Sequence, residues 1–428
     1  MKKTIKLVLA VSLVAAGLAA LVWTLNVRDE VDVRAPMAAA GASESLIARG
    51  AYLARAGNCM TCHTARGGQN YTGGRGIATP FGTVFTSNLT PDDKTGIGTW
   101  SSAHFWRAMH NGRSKSGRLL YPAFPYPSYT QVTREDSDAI FAYLNSLPPV
   151  AQANRPHELR FPYQSQAALA VWRALYFKPG VYEPDTRRSA GWNRGAYLVK
   201  GLGHCSACHT ARNVMGASDE GVDLAGGLIP MQNWYAPSLT SSAEAGVGEW
   251  DREHIVSLLK NGVSPRASAT GPMAEVVLRS TQYLNDEDLS AMALFLKDLT
   301  AAPSANGTAP ASATPAIPGA RGAKLYEQHC AECHGDKGQG VPRAYPALAG
   351  NRAVTMPSGV NLVQIVLNGG YAPATAGNPR PYGMPPFVLV LGDSEIAAIL
   401  THIRGSWGNH AGEITPIEVN RMRANQGR

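Results

Sequence analysis

The sequence predicts a mainly α-helical chain of three tandem domains behind an N-terminal membrane helix. Three observations predict it. The only six cysteines among 428 residues fall in three pairs, each with two residues between its members and each followed at once by histidine. An Arg-Gly-Ala signature stands ahead of every pair: Arg49-Gly50-Ala51-Tyr52-Leu53, Arg194-Gly195-Ala196-Tyr197-Leu198 and Arg321-Gly322-Ala323-Lys324-Leu325. An apolar helical period with a start signal follows every pair. Thr133 and Asp136 open Ile140 to Leu144, Asn285 and Asp288 open Leu289 to Leu299, and Asp393 opens Ile396 to Ile403. Glycine inside a helix is costly unless another helix packs closely on it. The closing helix of each repeat is therefore expected to cross its opening helix at that glycine.

The cysteine segments read Cys59-Met60-Thr61-Cys62-His63, Cys205-Ser206-Ala207-Cys208-His209 and Cys330-Ala331-Glu332-Cys333-His334. This is the attachment pattern of c-type haem. Two thiols one helical turn apart add across the two haem vinyl groups, and the adjacent imidazole reaches the iron. A zinc site needs two close pairs or a pair with a nearby histidine pair, whereas these pairs stand far apart. A thioredoxin-like dithiol does not require the following histidine, and neither does a disulfide. Three covalently bound haem c groups are the expectation, held at Cys59, Cys62, Cys205, Cys208, Cys330 and Cys333, with His63, His209 and His334 on the irons.

The elements follow in chain order. Lys2, Lys3 and Lys6 precede an apolar run from Leu7 to Leu25, close to the about 20 residues that span a bilayer. Gly17-Leu18-Ala19 offers a cleavage site, but the length of the run and Trp23 at its end favour an uncleaved anchor over residues 1–26. The lysines hold the N-terminus in the cytoplasm. The rest is then placed on the periplasmic side of a bacterial inner membrane. The first domain is expected over 44–150 and an apolar connecting segment over 151–190. This segment carries Phe161, Tyr163, Trp172, Tyr176 and Phe177, too many to run free. The second domain is expected over 191–300, a flexible linker over 301–318, the third domain over 319–410 and a C-terminal tail over 411–428. The first two domains share a middle block, Asn88-Leu89-Thr90 to Gly96-Ile97-Gly98-Thr99-Trp100 and Ser238-Leu239-Thr240 to Gly246-Val247-Gly248-Glu249-Trp250, which the third lacks.

Net charge is +8, yet only 16% of residues are charged and no Lys/Arg cluster occurs. That excludes a nucleic-acid footprint and points to an acidic redox partner. No paired carboxylates, Ser/His/Asp set or nucleotide loop stands out. Gly73-Gly74-Arg75-Gly76 and Gly226-Gly227 read as turns around a haem edge. His104, His157, His254, His402 and His410 have no ligand spacing, and His204 and His329 directly precede haem cysteines.

The three motifs, the Gly-Ile-Gly-Thr-Trp block, Leu120-Tyr121-Pro122-Ala123-Phe124-Pro125-Tyr126 and Gly271-Pro272-Met273-Ala274-Glu275-Val276-Val277 together resemble the membrane-bound three-haem cytochrome c subunits of bacterial periplasmic dehydrogenases acting on alcohol, gluconate, fructose or aldehyde. The resemblance implies three cytochrome c-like domains that do no substrate chemistry. It further implies electrons taken from a dehydrogenase catalytic subunit and passed to membrane quinone or a downstream cytochrome or oxidase. In such a domain the distal ligand is a methionine ahead of the last helix, which raises the potential. Met273 and Met384 hold that place in the second and third domains, Met384 within Gly383-Met384-Pro385-Pro386. In the first domain the matching position is Phe124, and Leu169 stands where some relatives supply a downstream methionine. Its sixth ligand is open, with Met109 and His110 nearest in sequence. Two further readings remain: a peroxidase- or reductase-like haem enzyme using an open first haem, and a free-standing carrier. Carbon monoxide separates the first of these from a relay, binding to about one haem in three rather than to none.

Overall fold

In the computed structural model the structure describes residues 2–30, 33, 42–241, 244–299, 315–342 and 344–424. Helix makes up 46% and strand 9%. The helices that matter here are α1 (Lys2–Val27), α2 (Glu44–Ala56), α3 (Ser102–Asn111), α4 (Arg134–Asn145), α5 (Gln166–Tyr176), α6 (Ala190–Tyr197), α7 (Arg252–Asn261), α8 (Gly271–Arg279), α9 (Asp286–Lys297), α10 (Ala320–His329), α11 (Val360–Asn368), α12 (Asp393–Gly405) and α13 (Pro416–Ala424). Chain contacts divide the molecule into two compact units: Met1–Ala54 with Cys59–Glu183, and Arg55–Asn58 with Pro184–Arg428. The linker expected over 301–318 lies outside the described residues from 301 to 314.

One device builds all three repeats. The signature glycine of the opening helix sits where a Cβ would lie 1.9 Å from the Ala139 carbonyl oxygen at Gly50, 1.9 Å from that of Ala291 at Gly195, and 2.3 Å from that of Ala398 at Gly322. α2 thus crosses α4, α6 crosses α9 and α10 crosses α12 at backbone-to-backbone range, which a larger side chain forbids. The signature arginine then reaches the third residue of the closing helix. Arg194 grips Asp288 with two bonds of 2.7 Å, Arg49 Nε donates to Asp136 at 3.1 Å, and Arg321 lies 3.6 Å from Glu395. Carboxylates in a first helical turn also face the positive end of the helix dipole. The caps agree in two repeats, where the Thr133 and Asn285 side chains accept from the backbone N–H of Asp136 and Asp288. In the third, the cap is Gly392 rather than Asp393. The Glu395 carboxylate accepts from Gly392 N at 2.9 Å, which frees Asp393 to accept from Arg423 at 2.7 Å and from Asn420 at 2.8 Å. Both partners belong to α13, formed within the expected tail and seated by the fully buried Val419.

Unit 1 adds a three-stranded antiparallel sheet of β1 (Gly76–Thr79), β2 (Gly82–Phe85) and β3 (Glu158–Leu159), in which Gly76 faces Phe85 and Gly82 faces Leu159. The apolar connecting segment therefore supplies a sheet strand and then α5, which packs against the end of α1. In unit 2, β4 (Gly227–Ile229) pairs with β5 (Trp234–Ala236), and β6 (Gly370–Tyr371) pairs with β7 (Gly383–Met384). The third repeat closes on a core of Tyr326, Leu362, Val363, Leu367, Ile396 and Leu400. Its α11 also packs on β5 of the second repeat.

Candidate haem-attachment sites

Each cysteine pair sits at the turn of a one-turn helix that follows its opening helix: Cys59–Cys62, Ser206–His209 and Ala331–His334. All six sulfurs are free thiols and half-buried. Burial and the neighbouring thiol push the first cysteine of each pair up, to about 12 at Cys59 and Cys205 and about 11 at Cys330. Among the described residues no group of three or more His, Cys, Asp or Glu converges to hold a metal ion by itself.

The histidines are held identically. Nδ1 of His63 bonds the Ser87 carbonyl at 2.7 Å, that of His209 bonds the Pro237 carbonyl at 2.7 Å, and that of His334 bonds the Pro346 carbonyl at 2.9 Å. A carbonyl only accepts, so Nδ1 carries the proton and Nε2 is left as the lone-pair donor. Burial holds all three imidazoles below their ordinary value, which keeps them neutral and able to ligate. The backbone completes the clamp. The carbonyls of His63, His209 and His334 accept from the N–H of Gly73, Gly226 and Gly340 at 2.8, 2.7 and 2.8 Å. All three glycines have positive φ, at 76°, 87° and 65°. A Cβ on Gly73 would strike the Ser87 carbonyl carbon at 2.5 Å, one on Gly226 the Ser238 nitrogen at 2.7 Å, and one on Gly340 the Pro346 carbonyl carbon at 2.7 Å. The same glycine thus holds the histidine backbone and presses on the loop that orients its ring.

Two thiols a turn apart beside an imidazole with one free nitrogen fit a covalent haem in each repeat. Gly73 and Gly226 had a signal in sequence, as paired glycines; Gly340 and the carbonyl donors did not. A faint one exists, since Ser87, Pro237 and Pro346 each stand two residues before a leucine, at Leu89, Leu239 and Leu348. Arg75 and Arg212 were also missed. Each donates to the carbonyl just before the second cysteine, Arg75 to Thr61 at 2.7 Å and Arg212 to Ala207 at 2.6 Å. They lie at different distances from their motifs, so no repeat marks them.

The methionines divide by surroundings. Met384 is on β7, half-buried and, like Cys330 and Ala331, packed against the core of the third repeat. Met273 lies in the first turn of α8 rather than on an open loop, after Gly271, whose positive φ of 53° brings the chain against the Trp234 ring. Met292 and Met356 are buried core. In the first repeat Phe124 packs 5.3 Å from Tyr129, and Leu169 and Met109 are both buried. His110 is engaged structurally: its Nδ1 bonds the Thr130 carbonyl at 2.9 Å and its ring stacks on Trp106 at 4.6 Å.

The cytochrome c family model matches residues 47–148 and 319–407. The chain is 38% identical to the cytochrome c subunit of a quinone alcohol dehydrogenase from Gluconacetobacter polyoxogenes, over 89% of this chain and 85% of that one. It is 37% identical to the gluconate 2-dehydrogenase cytochrome c subunit of Pantoea cypripedii, over 90% and 91%. To the fructose dehydrogenase cytochrome subunit of Gluconobacter japonicus it is 34% identical, over 93% and 86%. With these likenesses running nearly end to end over a helical fold that offers thiol pairs and oriented imidazoles, the chain belongs to the family of cytochrome c subunits of bacterial dehydrogenases.

Proposed function

We propose that this chain carries electrons through three covalent c-type haems, from the catalytic subunit of a dehydrogenase to membrane quinone or a downstream cytochrome or oxidase. The observation that carries the number three is the repetition of one local geometry: a thiol pair, an imidazole bound through Nδ1 to a carbonyl, and a positive-φ glycine bound to the histidine backbone. Haem, when bound, supplies a one-electron ferric/ferrous couple. The protein's part is to fix each group and set its potential. Cys59 and Cys62, Cys205 and Cys208, and Cys330 and Cys333 tether the groups. His63, His209 and His334 present Nε2, and Met273 and Met384 supply the second ligand in the second and third repeats. Burial lowers the dielectric around each site and so helps to tune its potential.

The placement on the periplasmic face of the inner membrane rests on α1. Its 26 residues have a mean hydropathy of 2.5 over the most apolar stretch, and it exposes its apolar side chains along its length. The three relatives are subunits of dehydrogenases by name, and that supports a catalytic partner here. The test is haem stoichiometry by alkaline pyridine spectra together with intact mass. The wild-type chain is expected to carry three haems and the Cys205→Ser/Cys208→Ser double variant two. An unchanged ratio in the variant would remove the middle site from the relay.

A further inference from the structure

The end of α1 is built into unit 1. Buried Asn26 donates to the Ala170 carbonyl at 2.8 Å, and its side-chain oxygen accepts from Arg173 Nε at 3.0 Å. Arg113 donates to the Asn26 carbonyl at 2.9 Å, and Asn111 donates to that of Asp29 at 3.0 Å. Glu30 lies 3.6 Å from Arg107 and 3.5 Å from Arg113. These bonds tie the last turn of α1 to α5 and α3, so the helix leaves the domain in a fixed direction.

α5 has the polarity of a water-facing helix reversed. Its arginine, Arg173, is inside, with the guanidinium 5.2 Å from the Tyr126 ring and 4.7 Å from that of Phe177. Its outward line is Ala167, Val171 and Leu175, spaced four residues apart along one face, with Val171 47% and Leu175 66% exposed. Phe161, just ahead of the helix, is 83% exposed. A surface helix ordinarily carries charge on that face. Here the first charge on it is exposed Lys178, beyond the helix end. Leu7 to Leu25 rises about 28 Å as a helix, the thickness of a hydrocarbon core. Asn26 therefore falls at the boundary, with Trp23 one turn inside it where interfacial aromatics collect. A helix pinned to Asn26 lies at the level of the headgroups.

We infer that α5 is a second membrane contact, lying in the plane of the leaflet that α1 leaves, with Val171, Leu175 and Phe161 dipped into the headgroup–acyl boundary and Lys178 reaching back to lipid phosphate. The inference rests on the reading of α1 as a membrane anchor. Its occupant is lipid rather than a protein partner because the apolar face is held at the exit point of the anchor by the Asn26 bonds. Two contacts instead of one fix the tilt of the first domain relative to the bilayer, and with it the height of the first haem site.

The test uses the full-length, haem-loaded protein in vesicles of phosphatidylethanolamine and phosphatidylglycerol, with no dehydrogenase present. Haem attachment consumes the native thiols, so a nitroxide label goes only to an introduced cysteine. Leu175→Cys and Val171→Cys report on the stripe, and Arg187→Cys, in a side chain 87% exposed, reports on water. Power saturation is read on the reduced protein, with oxygen as the lipid-soluble relaxant and a nickel chelate as the aqueous one. The expected result is relaxation at 171 and 175 dominated several-fold by oxygen, with the order reversed at 187. Protein that floats with the vesicles but shows nickel-dominated relaxation at 171 and 175 overturns the in-plane contact while the anchor stands. Shielding of those labels only when a dehydrogenase is added would assign the stripe to a protein partner and equally overturn it. Failure to float removes the anchor and the inference together.

Discussion

At the scale of single residues the design is a fixed imidazole. Nδ1 is committed to a carbonyl and the backbone carbonyl is committed to a glycine N–H, so the ring can neither flip its tautomer nor swing. Gly226 is one point at which to break this. A Cβ there meets the Ser238 nitrogen at 2.7 Å while φ is 87°, so Gly226→Ala must move the Pro237–Ser238 loop that orients His209. The expected outcome is a stability loss of about 2 kcal/mol and a shifted potential for one haem only, read by spectroelectrochemical titration; potentials that all stay unchanged would refute it. Met384 tests the opposite face. If its sulfur is the distal ligand, Met384→His keeps a six-coordinate iron but lowers that potential by a sizeable part of the about 0.8 V that axial ligands command. A Met292→Leu control, in the buried core of α9, leaves every potential in place.

At the scale of elements, the helix pairs show how far the sequence was legible. Gly50, Gly195 and Gly322 announced a close crossing, and each lies against a carbonyl of its closing helix. Thr133 and Asn285 were legible as caps because their side chains act within one turn. Gly392 was not, since it caps without a side chain and the acid at Glu395 supplies the reciprocal bond. The arginine-to-acid pairs were hidden for another reason: they join residues about 75 to 95 positions apart, and spacing carries no information at that range. The Gly195→Ala change tests the crossing. With 1.9 Å to the Ala291 oxygen, α6 and α9 must separate, at about 3 kcal/mol, and the thermal midpoint of unit 2 should fall by several degrees. Gly191→Ala is the control. It is on the same helix, where a Cβ would meet only the tip of Leu294 at 3.7 Å, and its midpoint should hold or rise.

At the scale of the whole molecule, the third motif does not stand on a tethered satellite. It belongs to the same compact unit as the second, although the sequence between them reads as a flexible spacer. A spacer's composition says how the chain connects two bodies, not whether their surfaces adhere. The adhesion is polar and specific. The Asn361 side-chain oxygen accepts from Tyr235 N at 2.9 Å and its nitrogen donates to the Tyr235 carbonyl at 2.7 Å, while Gln364 donates to the Asn233 carbonyl at 2.8 Å. α11 thus reads β5 as a neighbouring strand would, through an asparagine that mimics a peptide group. Asn361→Ala leaves both Tyr235 backbone groups without these partners, at about 1–3 kcal/mol, and the cost falls on the junction rather than on either core. The expected result is a single transition for the second and third repeats in the wild type and two separate transitions in the variant, read by calorimetry. Haem content should be unchanged, because none of the six cysteines or three histidines is touched. If the variant still melts unit 2 as one transition with its midpoint unmoved, the junction is held by its other contacts, among them the Thr375 hydroxyl on the Asn261 carbonyl, and the asparagine only sets its register.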